Sequence, residues 1–495
     1  MLTEHLPALQ IIVPLLAAPL CLFIRHPLAT RLFALLVSWA TLALSVALLF
    51  EVKGSAEDIS YFMGGWKPPF GIELRVDTAN AFVMCIVSAI GAVVLAFGPT
   101  GLIPGVPRER MYLFYSAFLL CITGLLGICI TGDAFNVFVF LEISSLSTYT
   151  LIALGKGRRA LMAAYSYLIL GTIGGTFILI GIGMMYQMTG TLNMANLAVL
   201  MPEVIDSRTM LVAFAFLTIG TSIKLALFPL HQWLPNAYTY APSVVSAFLA
   251  ATATKVSYYV LARIIFTIFG AAYVFNTLHF DVILLPLSIA AMFIGSTAAI
   301  YQTNIKRLLA YSSIAQIGYM TLGLSLNNVN GLSGGLVHLF NHGVMKGGLF
   351  LVVACVVYRI GSAQLSDMAG LGRRMPFTMG AFVIGGFGLI GVPATAGFIS
   401  KWYLVLGAFE EGMWWIAILI LLSSLLAVAY IWKVLEICYF REPPEGSKPC
   451  EAPLSMLIPT YILIGSSLYF GLQTELTAEI AVQAAQSLMG VGGAG

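Results

Sequence analysis

Residues 220–259 read GTSIKLALFPLHQWLPNAYTYAPSVVSAFLAATATKVSYY, and this stretch decides the fold class. It sets Lys224 and Lys255 inside two long apolar segments, with Pro229, Pro235 and Pro242 interrupting the backbone between them. A lysine at the centre of a membrane helix costs about 2.5 to 3.5 kcal/mol on insertion scales, so both lysines are expected to serve a function. Proline removes an amide donor, and at membrane depth the freed carbonyls need a protein partner or a water-lined cavity. A broken helix beside a buried charge is the way ion pathways are assembled in transporters.

The rest of the chain has the composition of a membrane protein. Of 495 residues, 60% are hydrophobic and only 9% charged, against roughly 25% charged in soluble domains; mean hydropathy is +0.96. The net charge of +3, from 24 basic and 21 acidic residues, gives no basic footprint for nucleic acid. Seven cysteines are scattered without ligand spacing, several in apolar runs such as Cys121 and Cys129, and read as buried thiols. The N-terminus opens acidic (Glu4) and apolar, without the basic region and cleavage site of a signal peptide, so its first apolar run is expected to be a retained span.

Stretches able to cross about 30 Å of hydrocarbon lie near residues 6–24, 31–51, 78–98, 111–130, 134–154, 161–187, 210–230, 242–268, 281–300, 308–325, 331–358, 378–408, 413–438 and 455–473. The expectation is an all-α polytopic membrane protein of about fourteen helices, forming one membrane domain over residues 1–495. Loops after odd-numbered spans carry fifteen Lys and Arg, whereas the opposite loops carry four, Lys53, Lys67, Arg75 and Arg208. The opposite side also holds most acids, among them Glu57, Asp58, Glu73, Asp77, Glu410 and Glu411. Cytoplasmic loops collect positive charge, so both termini are expected outside. Six charges remain within spans: Glu142, Lys224, Lys255, Arg263, Lys346 and Lys401.

The seventh and twelfth spans each combine a deep proline with a lysine, Pro229 with Lys224 and Pro393 with Lys401. Broken helices five spans apart predict two inverted five-helix repeats, residues 111–268 (helices 4–8) and 281–438 (helices 9–13).

Each buried polar group has a functional and a plain reading. Glu142 follows an almost wholly apolar run and Lys224 is its natural partner; the alternative is a purely structural ion pair. Lys255 follows the small-residue run from Ala247 to Thr254, which admits close helix packing or water; the alternative is snorkelling to an interface. Arg263 sits nearer the outer end of the same span, where snorkelling explains it better. His338, His342 and Lys346 recur every four residues, giving one polar stripe on an apolar helix. Two histidines so spaced can hold zinc, but no third ligand is apparent and a cation follows on the same stripe. Histidine and buried lysine change protonation readily enough for a proton relay, and packed histidines satisfied by neighbours are the alternative. Lys401 follows the break GVPATAGFIS and is read as a pathway exit or an interfacial anchor. The row is rich in lysine and histidine and poor in carboxylates, which favours protons over sodium, since sodium needs several oxygens.

These segments resemble the antiporter-like subunits shared by multisubunit cation/proton antiporters of the Mrp (Mnh, Pha) type, respiratory complex I and membrane-bound hydrogenases. The resemblance runs over nearly the whole chain. It is carried by KLALFPLHQWLPNAYTYAPSVVSAFLAATATK, NIKRLLAYSSIAQIGYM, HLFNHGVMKGGLFL and PATAGFISKW. It implies a fourteen-helix architecture with inverted repeats and a Glu142–Lys224 pair. It also implies Lys255 as central relay, the stripe of His338, His342 and Lys346, and Lys401 as the terminal site. Within the family, the length and the segments TGDAFNVFVFLEISSLSTY and FNHGVMKGGLF are most similar to the D-type Mrp subunit. The A-type subunit and its complex I counterpart are longer, and another complex I paralogue carries glutamate where Lys401 stands.

The first functional expectation is therefore a proton-translocating subunit of a Na+/H+ antiporter, with no cofactor. The resemblance implies that it works beside Mrp A-, B-, C-, E-, F- and G-type partners in the bacterial inner (cytoplasmic) membrane. The second is the proton-pumping module of a redox complex such as complex I or a hydrogenase. Iron–sulfur spacing, nucleotide loops and quinone signatures do not occur, so redox chemistry would belong to partner chains. A bicarbonate or CO₂ uptake partner is a third possibility.

Overall fold

The computed structural model describes residues 3–55, 58–98, 106–444, 446 and 448–490, and shows an almost wholly helical membrane protein. Glu57 lies outside the described residues. Twelve helical stretches among the described residues are long and apolar enough to cross a membrane, from Leu6–Phe23 to Leu454–Leu472. The expected count of fourteen is not reached on that criterion, and each of the two remaining spans has a physical reason. Ile305–Ser325 is a continuous helix, but Lys306, Arg307, Ser312, Ser313 and Gln316 lower its hydropathy. It is buried along nearly its whole length, and a helix surrounded by protein need not be apolar for lipid. The twelfth expected span is two helices of 15 residues each, Pro376–Ile390 and Ala396–Glu410, neither of them long enough to cross alone.

The seventh span is also broken, earlier than the proline position suggests. Its helix, Arg208–Leu225, stops at Ala226, whose φ of 61° is left-handed. The chain then turns through Pro229 to a short helix, Trp233–Tyr240. Trp233 Nε1 donates to the Ile223 carbonyl at 2.8 Å, satisfying one of the acceptors the break exposes. The twelfth-span break likewise holds a left-handed non-glycine residue, Ala394 with φ 71°. Backbone strain of this kind persists where surrounding structure enforces it, often at functional sites. A third interruption falls at Thr252 (φ −125°, ψ −58°), between Ser243–Ala251 and Ala253–Ala262. Neither proline nor glycine marks it in the sequence.

The two sides distinguished by charge are each knit internally. On the acidic side, strands Ile59–Phe62 and Glu73–Val76 pair antiparallel, Asn193 Nδ2 donates to Glu73 Oε2 at 2.6 Å, and Asn328 Nδ2 donates to the Gly407 carbonyl at 2.8 Å. On the basic side, Lys433 Nζ reaches the Ile300 and Gln302 carbonyls at 2.8 and 3.0 Å. The backbone of Ile305 donates there to Ala363 at 2.9 Å. The hairpin, the amphipathic helix Met194–Val204 and the last helix, Glu475–Met489, were not expected from sequence. All seven cysteines are free thiols, five of them buried.

Candidate functional site

Glu142 lies mid-way along the helix Ala134–Ala153, whose start is capped by Asp133 accepting from the Asn136 backbone. Lys224 occupies the last turn before the seventh-span break. Its Nζ stands 3.5 Å from Glu142 Oε1 and donates to Ser145 Oγ at 2.8 Å. The lysine side chain is 4% exposed and the glutamate 26%, so the pair has a buried cationic end and a more peripheral anionic one. The expected partnership therefore exists as contact geometry. Gly175 faces the carboxylate so closely that a Cβ there would collide with Glu142 Oε1.

Beyond Lys224 lies a cavity of about 20 Å³, lined by Ser144, Ser145, Thr148, Tyr167, Thr221 and Lys224 and closed by Ala253, Val256 and Ser257 of the next helix. That volume suits about one water molecule, and the walls offer it several polar partners. Lys255 sits next to this wall in the helix Ala253–Ala262 and is fully buried. Its Nζ donates to the Ala250 carbonyl at 2.5 Å and approaches Thr254 Oγ1 at 3.4 Å. The Thr252 break frees that carbonyl from the helix ladder, so the ammonium supplies the missing donor. Snorkelling does not describe Lys255.

The stripe of His338, His342 and Lys346 lies on the helix Val329–Ile360, and all three are fully buried. Lys346 Nζ donates to the Leu309 carbonyl at 2.8 Å and to Ser312 Oγ. His338 Nδ1 shares a hydrogen with Ser400 Oγ at 2.8 Å. The two imidazoles stack with centroids 5.9 Å apart, and His338 lies 5.5 Å from the Tyr319 ring. Among the described residues, neither ring nitrogen of His342, nor Nε2 of His338, has a protein partner. Tyr319 continues the row, because Lys401 Nζ lies 4.8 Å from its ring centroid. Lys401 itself reaches back across the break to the Leu389 and Ile390 carbonyls at 3.3 and 2.7 Å, and to Ser424 Oγ at 2.8 Å. It is 7% exposed, which removes the interfacial-anchor reading.

Among the described residues, only Lys224 of the four lysines has a carboxylate within ion-pair distance. The others are held by carbonyls and hydroxyls, which accept from an ammonium and equally tolerate a neutral amine. Sequence reasoning missed Lys306, assigned to a basic loop but 5% exposed, with Nζ donating to the Ala241 carbonyl at 2.7 Å. Its place at the head of an internal helix, invisible in hydropathy, is what buries it.

Arg263 overturns the snorkelling expectation. Its guanidinium pairs with Asp77, and the two side chains are 14% and 5% exposed. It also donates through Nε to Tyr259 Oη at 2.8 Å. Asp77 caps the helix Thr78–Ala96 in a reciprocal box with Asn80. Burial alone would raise its carboxyl, but the charges of Arg263 and Arg75 and the hydrogen bonds from Arg263 and Asn80 outweigh it and hold the carboxyl below its ordinary value.

Broken helices and a buried lysine–histidine row define a multi-pass membrane subunit of the antiporter type. Residues 131–427 match the family described as NADH:quinone oxidoreductase/Mrp antiporter, TM, and the chain belongs to that family. It is 43% identical to the N-type subunit of the NADH-quinone oxidoreductase of Desulforudis audaxviator, over 97% of this chain and 98% of that one. Its identity to the D-type subunit of the Na(+)/H(+) antiporter of Bacillus subtilis is 30%, over 97% and 96% of the two chains. A chain of the Mrp complex from a Dietzia species has the same fold, with TM-score 0.90 at 25% identity, covering 99% of this chain and 98% of that one.

Proposed function

We propose that this chain is the proton-translocating subunit of a multisubunit membrane complex, and that Glu142, Lys224, Lys255, His338, His342, Lys346 and Lys401 carry the protons. The observation that supports it most is the set of buried titratable groups, of which Lys224, Lys255 and Lys401 lie at or beside helix breaks and Lys346 on a continuous helix, the lysines beyond Lys224 being satisfied by neutral acceptors. Lysine and histidine each exist in two protonation states, so a proton leaves an ammonium, passes through a hydroxyl or water, and leaves a neutral amine behind. Like charges on neighbouring groups repel, so arrival of one proton promotes departure of the next. Glu142 modulates the first lysine by approaching or leaving it.

Two inverted repeats, residues 111–268 and 281–438, fit this mechanism. Asp133 and Asn304 cap corresponding helices, and each forms a short β-bridge, to Asn193 and Gln364 respectively. The basic side is then cytoplasmic, with both termini outside a bacterial inner membrane.

The driving reaction has two readings. Sodium-coupled antiport, with Mrp A-, B-, C-, E-, F- and G-type partners, is consistent with the likeness to the D-type antiporter proteins. The higher identity to an N-type oxidoreductase protein favours a redox-driven proton pump. Affinity purification of the tagged chain from its native membrane separates them. Flavin or iron–sulfur partners indicate the redox complex, and small hydrophobic partners with sodium-dependent proton exchange indicate the antiporter. Recovery of the chain alone, with no exchange activity, would refute both.

A further inference from the structure

On the acidic side a cavity of about 590 Å³ opens between the hairpin, the last helix and the eighth span, with Asp58, Glu73, Asp77, Tyr259 and Arg263 among its lining residues. It shares Tyr259 and Arg263 with a second, mostly apolar cavity of about 30 Å³ that continues inward along Val260 and Ile128. That one shares Val260 and Ile128 with the cavity at Lys224. Three voids thus run in series from the acidic face to Lys224, and Tyr259 and Arg263 form the wall between the first and the second.

This wall is built on one helix face. Lys255, Tyr259, Arg263 and Thr267 follow at intervals of four residues, and hydrogen bonds link the last three: Arg263 Nε to Tyr259 Oη at 2.8 Å and Nη1 to Thr267 Oγ1 at 3.3 Å. Tyr259 Oη in turn donates to the Cys129 carbonyl at 3.1 Å. Asp77 completes the clamp from a different helix. At Arg263 the α-helix gives way to a π-helical turn, Arg263–Ile268, and a second, Ala272–Thr277, follows Gly270 with its φ of 79°. Wide turns of this sort are weak points in a helix and gather at functional sites.

We propose that Arg263, positioned by Asp77 and Tyr259, is the gate of a separate access route from the acidic face to Lys224. This rests on the proton-relay reading of Lys224. A fixed cation at the neck repels protons and metal cations, since arginine keeps its charge at all working pH values. While clamped it keeps the resting relay sealed from that side; release from Asp77 lets the guanidinium swing into the large cavity, whose wall carries the Asp58–Arg75 pair, and joins the first two voids, leaving only Val260 and Ile128 between them and the cavity at Lys224. Arg263 and Asp77 are positioning residues that move no proton themselves.

The test is passive proton leak in resting vesicles containing the whole complex, with an entrapped pH dye, a pH step imposed from the acidic face and no sodium or electron donor supplied. Asp77→Asn removes the charged acceptor and is expected to raise the leak about tenfold, the scale of one lost charge-assisted contact on a barrier. Tyr259→Phe keeps the ring and the fold, so it remains measurable if Asp77→Asn fails to assemble, and should give a smaller rise. Arg263→Lys retains the cation and its pairing with Asp77 but loses the Nε hydrogen bond to Tyr259, so its rise should not exceed that of Tyr259→Phe. Glu479→Gln, which breaks only the exposed pair with Lys53, should change nothing. Unaltered leak in assembled Asp77→Asn and Tyr259→Phe complexes, or an equal rise in Glu479→Gln, overturns the gate. The leak assay needs no coupled exchange, so a gate that fails here is distinguishable from a relay that fails in the exchange assay.

Discussion

Replacing Glu142 by Gln keeps the side-chain volume and removes only its charge, so it isolates what the carboxylate does for Lys224. At the observed 3.5 Å separation the Coulomb attraction is about 5 kcal/mol with an effective dielectric of about 20. Glu142 is part-exposed, and hydration of the carboxylate reduces that figure. Even about one third of it exceeds the roughly 1.4 kcal/mol that corresponds to a tenfold change in rate. Proton exchange in everted vesicles should therefore fall by about tenfold or more. Complex yield should remain close to wild type, because the amide still fits beside Gly175 and Ser145 still accepts from Lys224. Exchange at the wild-type rate in an assembled Glu142→Gln complex would show that the carboxylate does not act on Lys224.

Gly175→Ala attacks the same pair by crowding, since the added methyl would collide with Glu142 Oε1; exchange should drop while Glu142 itself is intact, read in the same vesicles. His342→Gln keeps size and polarity but removes titration, so transport should be lost before thermal stability, whereas a packed spacer would be nearly silent in transport. The Asp77 carboxyl is held below its ordinary value. Its stabilising contribution is therefore complete above the ordinary carboxylate range, near about 3.9, and is lost only as pH falls through the still lower folded value. Thermal stability should show no Asp77-dependent step between about pH 5 and pH 9, and a step in that window that disappears in Asp77→Asn would contradict the pairing.

Single charges in apolar runs were the legible part of the site. Glu142, Lys224, Lys255, the histidine stripe and Lys401 stand out as ionisable groups among apolar residues and uncharged hydroxyls, and the first two meet in space at 3.5 Å. Context that depends on neighbouring helices was not legible. Lys306 and Lys433 lie near helix ends and add to a basic count, yet both bond carbonyls of other segments. Arg263 has the sequence position of a snorkelling residue, and only the docking of the Thr78–Ala96 helix beside it supplies Asp77. The break at Thr252 has no proline or glycine to announce it, because a lysine ammonium repairs the hydrogen bonding there instead. Ile305–Ser325 shows the converse: a helix enclosed by protein on all sides escapes a criterion built on lipid-facing hydropathy.

If protons pass through the buried row, Lys255 at its middle is the residue whose loss should stop them. Lys255→Arg retains a cation able to donate to the Ala250 carbonyl but cannot release a proton at any working pH. Proton flux should be measured in vesicles containing the assembled complex, with yield and thermal stability of the same preparation as the control. Flux should be abolished while assembly persists; flux at the wild-type rate in that complex would contradict proton passage through the row.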